Sequence, residues 1–184
     1  MNQETFWSEY IKYFGRVKNP KTIQVVNAII DYCDFKKLNK NQIAYILATA
    51  YHETAHDFIP KREFGSNEYF VRRYWNNTKV AKWLGNDSAS EAIKYCGRGL
   101  VQITGETNYE KFGITDNPEK ALETEMAVKI LVDGMINGIF TTRKLSNYIT
   151  EVSKDFFNAR KIINGLDKAE LIASYAERFI KIMP

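Results

Sequence analysis

The stretch over residues 39–56 constrains the fold more than any other. Ile43, Ile46, Leu47, Ala50 and Thr54 recur at about 100° per residue, the period of an α-helix with one buried face. Asn39 or Asn41 stands where an N-cap belongs, and the periodicity predicts a helix running to about His56. A helix of this kind has to bury its stripe against other elements. On the same wheel Glu53 falls beside Ile46 at the edge of the stripe, with His52 and His56 towards the opposite side. An acid at that edge is expected to be partly desolvated while still reaching solvent. Desolvation raises a carboxyl pKa, as a general acid at neutral pH requires. The plain alternative is a solvated or salt-bridged glutamate near a helix C-terminus.

The other segments also read as helices. Phe6, Trp7, Tyr10, Ile11 and Phe14 recur at helical spacing, and Gly15 closes the segment. Asn19-Pro20 reads as an N-cap followed by proline in the first turn, opening a helix over about 21–35 with Ile23, Val26, Ile30 and Cys33 on one face. Residues 67–90 read as irregular and polar, with Tyr69, Phe70, Tyr74, Trp75 and Trp83 interspersed. That mixture suits one wall of a polysaccharide cleft, and core packing accounts for it nearly as well. Asn76-Asn77 and Gly85-Asn86-Asp87 read as turns. Asn117-Pro118 caps a helix over about 121–140 carrying Met126, Ile130, Leu131, Met135 and Ile139. Phe156, Phe157, Ile162 and Ile163 form the next, ended by Asn164-Gly165. Asp167 then caps a last helix with Leu171, Tyr175, Phe179 and Ile182 inward and Pro184 at its end. The expected fold is mainly α, one domain over residues 1–184, with two lobes around a cleft and at most a small β-hairpin.

With 184 residues, 45% hydrophobic, the chain has ample material for one core. A net charge of +4 steers only weakly towards anionic polymers. Lys and Arg are scattered without a run, so nucleic acid is not an expected partner. Cys33 and Cys96 lie too far apart in sequence for a disulfide framework or a zinc knuckle, and read as buried or half-buried thiols of a reducing compartment. The first seven residues lack the basic and apolar regions of a secretory signal, and no apolar run is long enough to span a membrane. The expectation is a monomer made in the cytoplasm, reaching any external substrate after release by a holin or another export route.

Two chemistries can be read from His52-Glu53-Thr54-Ala55-His56. Two histidines one helical turn apart with a glutamate between them match the zinc-protease pattern, in which both imidazoles bind zinc and the glutamate activates its water. There is no third histidine, so a carboxylate such as Glu91 would have to complete the ligand set. The second chemistry is a glycosidase built on two carboxylates.

Tyr95-Cys96-Gly97-Arg98-Gly99-Leu100-Val101-Gln102-Ile103-Thr104-Gly105 is the second informative stretch. Its three glycines bracket a tight backbone path from which Arg98, Gln102 and Thr104 can project towards one site; a β-turn with a short strand is the plain alternative. It is neither a phosphate loop nor a dinucleotide fingerprint. Taken in order, His52-Glu53-Thr54, Arg62-Glu63, Tyr95 to Thr104 with Asn108-Tyr109, and Ile162-Ile163-Asn164-Gly165 resemble the conserved segments of glycoside hydrolase family 19. That family comprises chitinases and related bacterial and phage cell-wall lysins of lysozyme-like fold. The resemblance covers about residues 43–167. It implies Glu53 as general acid and Glu63 as general base, with Glu68 the alternative second acid because the loop between the acids is short. It places Thr104 where a serine usually helps hold the water. His52, Tyr95, Arg98, Gln102, Asn108, Tyr109 and Asn164 stand at positions that contact sugar or shape the site. It implies no cofactor or metal. The expected substrate is an N-acetylhexosamine β-1,4 polymer, peptidoglycan in preference to chitin, cut with inversion in a cell-wall-degrading role. A lysozyme-like domain that binds glycan without cutting it is the non-enzymatic alternative.

Overall fold

Helices dominate the computed structural model of residues 3–183, and one two-stranded antiparallel pair is its only sheet among the described residues. The mainly α class expected from the apolar periodicity is therefore what the chain adopts. Two compact units can be recognised: the chain up to Ile59 and again from Leu131, and Pro60–Ile130 between them. Pro184, expected at the end of the last helix, lies outside the described residues. Among the described residues no helix is long and apolar enough to cross a membrane.

The first unit contains α1 (Gln3–Phe14), α2 (Pro20–Phe35) and α3 (Lys40–Glu53). Asn19 caps α2 by accepting from the Lys21 N–H at 2.9 Å. The buried face of α2 is Thr22, Val25, Val26, Ile29, Ile30 and Cys33; Ile23, expected on it, is exposed. Asn39, rather than Asn41, caps α3, in a box where Gln42 bonds back to the Asn39 N–H. Every residue from Ile43 to Tyr51 is buried, so α3 is the central helix of this unit rather than a helix with one buried stripe. Truncating one of its fully buried side chains, Leu47→Ala, is expected to cost about 2–5 kcal/mol.

After α8 (Thr124–Asn137), which carries the chain from the second unit back to the first, come α9 (Phe156–Ala159), a 3₁₀ turn over Arg160–Ile162, and α10 (Ala169–Ile182). The helix expected over 121–140 is thus shorter: a 3₁₀ turn, Pro118–Leu122, precedes α8, and Gly138 at φ +71° ends it. α10 packs along α3, its inward face being Ile172, Tyr175, Ala176, Phe179 and Ile182, while Leu171 is exposed. Its N-cap is Lys168, not Asp167. Phe179 stacks on Phe14 at 4.4 Å and meets Tyr51 edge-on at 6.1 Å, joining α1, α3 and α10 in one aromatic cluster.

In the second unit, β1 (Lys61–Arg62) pairs with β2 (Arg98–Gly99) in the register Lys61↔Gly99 and Arg62↔Arg98. Residues 67–90, expected to be irregular, fold as three short helices, α4 (Asn67–Tyr74), α5 (Thr78–Leu84) and α6 (Ala89–Lys94). Each is too short for a period to register, but each is preceded by a side chain that caps it: Ser66, Asn77 and Ser88. Phe70, Tyr74, Leu84, Ala92 and Cys96 form their shared core. α7 (Glu106–Glu110) comes after the hairpin. Cys33 and Cys96 are both buried, and each is a free thiol.

Candidate functional site

Glu53 is the last residue of α3, and the reason the helix stops there lies in the next three residues. The Ala55 N–H bonds the His52 carbonyl at 3.2 Å and the His56 N–H bonds the Tyr51 carbonyl at 2.8 Å, the paired closing bonds of a Schellman cap. Ala55 and His56 reach them with φ of +54° and +77°. The helix therefore ends three residues before the expected His56. Thr54 ties the cap to the chain at Phe58, its hydroxyl donating to the Ala50 carbonyl and accepting from the Phe58 N–H.

This cap separates the two imidazoles. His52 lies on the helix, half-buried, with its pKa lowered first by burial. His56 lies off it, stacked on Tyr51 at 4.3 Å with Nε2 3.2 Å from the Tyr175 hydroxyl. The spacing in letters does not become a shared helical face. Glu91, the carboxylate that would have completed a zinc set, accepts from the Asp87 N–H. Among the described residues no group of three or more His, Cys, Asp or Glu side chains is arranged to hold a metal.

The Glu53 side chain is 19% exposed, and Oε1 accepts from Arg160 Nη1 at 2.6 Å. It is therefore the salt-bridged glutamate at a helix C-terminus that stood as the plain alternative, half of an ion pair. Arg160 is buried and also donates from Nε to the Asp167 carbonyl at 3.0 Å, so it ties the α3 terminus to the turn after α9. Sequence reasoning missed Arg160. Its signal was present: it stands four residues after the buried Phe156, and a cation on a buried face needs a carboxylate. Asn164 is exposed on the same turn, its Oδ1 accepting from the Gly165 N–H.

Glu63, in the second unit, comes directly after β1. Its backbone N–H bonds the Gly97 carbonyl at 2.7 Å, and the Gly97 N–H returns a bond to Oε2 at 3.1 Å. The Tyr69 hydroxyl donates to Oε1 at 3.0 Å and the Tyr74 hydroxyl lies 2.8–2.9 Å from both oxygens. Tyr74 itself is pushed well above the usual phenol range, first by burial and then by this carboxylate. Arg73 donates to the Tyr69 hydroxyl at 3.0 Å, placing a positive charge behind the pair. A Cβ on Gly97 would stand 2.9 Å from Gln102 Oε1 and 3.0 Å from Glu63 Oε2, so a side chain here would displace the ends of both. Glu68 does not share these donors; it is exposed in the first turn of α4, its pKa lowered chiefly by a bond from the Ser66 hydroxyl. Tyr69 and Tyr74, read from sequence as cleft wall or as core packing, are what orient Glu63.

The stretch from Tyr95 to Thr104 divides into an inner and an outer set. Arg98, Tyr95 and Tyr109 are buried, at 4%, 2% and 0% exposure, which leaves them no face for a sugar. Arg98 holds Glu119 at 2.7 Å, the Lys94 and Cys96 carbonyls at 2.9 and 3.0 Å, and the Tyr109 hydroxyl at 3.1 Å. Tyr95 donates to Glu106 at 3.2 Å. The expected projection of Arg98 beside Gln102 and Thr104 is thus corrected: the chain turns back after Gly99, Arg98 pairs with the buried Ile103 across that turn, and its side chain shares the inward face as a structural clamp. Gln102, Thr104 and Asn108 are half-buried. Gln102, at φ +54°, hooks Nε2 onto the Lys61 carbonyl at 2.9 Å; Thr104 Oγ1 donates to the Gln102 carbonyl at 2.8 Å; Asn108 Nδ2 donates to the Thr104 carbonyl at 2.9 Å. These three and Glu63 belong to one network around the hairpin.

Comparison with protein-family models, with curated proteins and with solved structures returns no match for this chain.

Proposed function

We propose that the protein is a glycoside hydrolase that cleaves β-1,4 bonds of an N-acetylhexosamine polymer, peptidoglycan in preference to chitin, by carboxylate acid/base catalysis with inversion. The observation that carries this reading is the setting of Glu63. A half-buried carboxylate receives bonds from two tyrosine hydroxyls and the Gly97 N–H, against a glycine whose Cβ would push into it. A general base must be held in one orientation towards its water, and three donors on one carboxylate supply that.

In the proposed mechanism Glu53 is the acid. Arg160 occupies Oε1, which leaves Oε2 to carry the proton to the leaving glycosidic oxygen. Glu63 takes a proton from the attacking water as its oxygen bonds to the anomeric carbon. Thr104 offers its remaining lone pairs to that water, and Gln102 and Asn108 orient the sugar. The test is turbidity loss of permeabilised cells together with release of reducing ends. Glu53→Gln and Glu63→Gln are each expected to lower the rate by about 10²–10⁴-fold while the protein stays folded. Full activity in Glu53→Gln, or loss of wild-type activity in EDTA, would sink the proposal.

A further inference from the structure

Away from Glu63, the second unit contains a hollow of about 400 Å³. One side is the end of α4, Trp75 and Asn76; the next is the α5 face carrying Thr78, Ala81 and Lys82, spaced i, i+3, i+4; the turn with Asn86 and Asp87 closes the third. The hollow is preformed. Asn86 is buried, donating to the Tyr74 carbonyl at 3.3 Å and accepting from the Glu106 N–H at 3.2 Å, so the turn is pinned to the ends of two helices. Gly85, at φ +74°, has Thr107 Oγ1 only 2.1 Å from where a Cβ would sit, which fixes the approach of α5 to α7.

The lining selects a ligand class. The volume is far beyond a water or an ion and lies at the low end of the roughly 300–1,000 Å³ typical of small-molecule sites. Lys82 and Asp87 are both exposed and of opposite sign, so the walls favour neither an anion nor a cation. Trp75, 36% exposed, lines the hollow with its large flat apolar side chain together with the small Ala81, and Asn76 and Thr78 add a neutral amide and hydroxyl to the lining. A flat apolar wall with neutral donors and acceptors around it matches a ring that is apolar on its faces and hydroxylated at its edge.

We infer that this hollow is an accessory saccharide site, taking one or two rings of the polymer apart from the carboxylates; the identity of the polymer, though not the site, rests on the glycosidase reading above. Tyr74 joins the two places, giving its hydroxyl to Glu63 and its carbonyl to Asn86. An accessory site of this kind keeps the protein on an insoluble wall between cuts, which matters little for a short soluble substrate.

The test uses ¹⁵N-labelled Glu53→Gln protein titrated with N-acetylglucosamine trimer and with a peptidoglycan disaccharide fragment, following the Trp75 indole N–H, assigned by its absence in Trp75→Ala. The expected result is a saturable shift of that signal and of the Asn76 side-chain amide, with binding weakened about tenfold or more by Thr78→Tyr, read at the indole, and by Trp75→Ala, read at the Asn76 amide. Thr78→Tyr fills the rim from an exposed helix start without removing any packing, so it stands if Trp75→Ala fails to fold. In the otherwise wild-type protein each substitution is expected to leave turnover of a soluble oligomer unchanged and to lower solubilisation of insoluble wall several-fold. An unmoved Trp75 signal with hydrolysis intact overturns this site and leaves the glycosidase reading standing. A shifted Trp75 signal with no hydrolysis by the wild type supports the saccharide site and removes the enzymatic reading.

Discussion

Ala55 holds φ +54° at the position after the α3 C-cap, where glycine is the usual residue. A Cβ in the left-handed region costs about 1–2 kcal/mol. Ala55→Gly removes that strain while loosening the unfolded chain, and is expected to raise stability by up to ~1 kcal/mol, read as a shift in the urea midpoint. Beside it, His52 makes stability depend on pH. Burial lowers its pKa first, Arg160 and His56 push the same way, and Glu53 and Asp167 oppose them. The unfolded chain therefore takes up this proton from about pH 6.5 downward, and the folded chain only at lower pH. The contribution is fully present above about pH 6.5 and is lost as pH falls through the window below it. Urea midpoints at pH 7.5 and 5.5 are expected to show this fall, and His52→Asn to reduce it.

At the scale of elements, the hairpin and α4 act together. β1 brings Glu63 to Gly97, and α4 supplies Tyr69 and Tyr74 from its first and last turns. Gly97→Ala pushes into Gln102 Oε1 and Glu63 Oε2, both ends of side chains that can shift. The fold is expected to survive with a loss of about 1–2 kcal/mol. Activity is expected to fall by at least tenfold, because both displaced groups belong to the proposed site. Thermal melts alongside kcat separate the two effects. The same elements show what a pattern can and cannot reveal. α2 and α10 are legible as helices with their inward faces, since Val26, Ile30 and Cys33 and then Tyr175, Phe179 and Ile182 are buried; only Ile23 and Leu171, each in the first turn, are exposed instead. Residues 67–90 hid three helices because six to eight residues hold only about two turns, and their caps were the better signal.

At the scale of the whole molecule, product stereochemistry tests the proposed carboxylates as a pair. Inversion at a β-1,4 bond releases a new reducing end as the α-anomer, and retention releases the β-anomer. Proton NMR in the first minutes of digestion of a chito-oligomer is expected to show the α-anomer in excess, before mutarotation equalises the two. An initial β excess would assign the second carboxylate the role of nucleophile instead of base.

Sequence by itself determined the helical class, because apolar side chains at a 3.6-residue period bury well only as helices, and it singled out Glu53 and the glycine-bracketed stretch from Gly97, while Glu63 entered only through a resemblance. Tertiary structure decided the rest. It broke the His52–His56 spacing, since a Schellman cap forms only where the chain after Glu53 has somewhere to go, and Phe58 goes into the core. It paired Glu53 with an arginine 107 residues away and gave Glu63 its tyrosines. It also turned Arg98, expected to project towards one site with Gln102 and Thr104, into the interior. Helical periodicity is a local property written into neighbouring residues, whereas the partner of a charge is chosen by packing across the fold, and no local pattern encodes that distance.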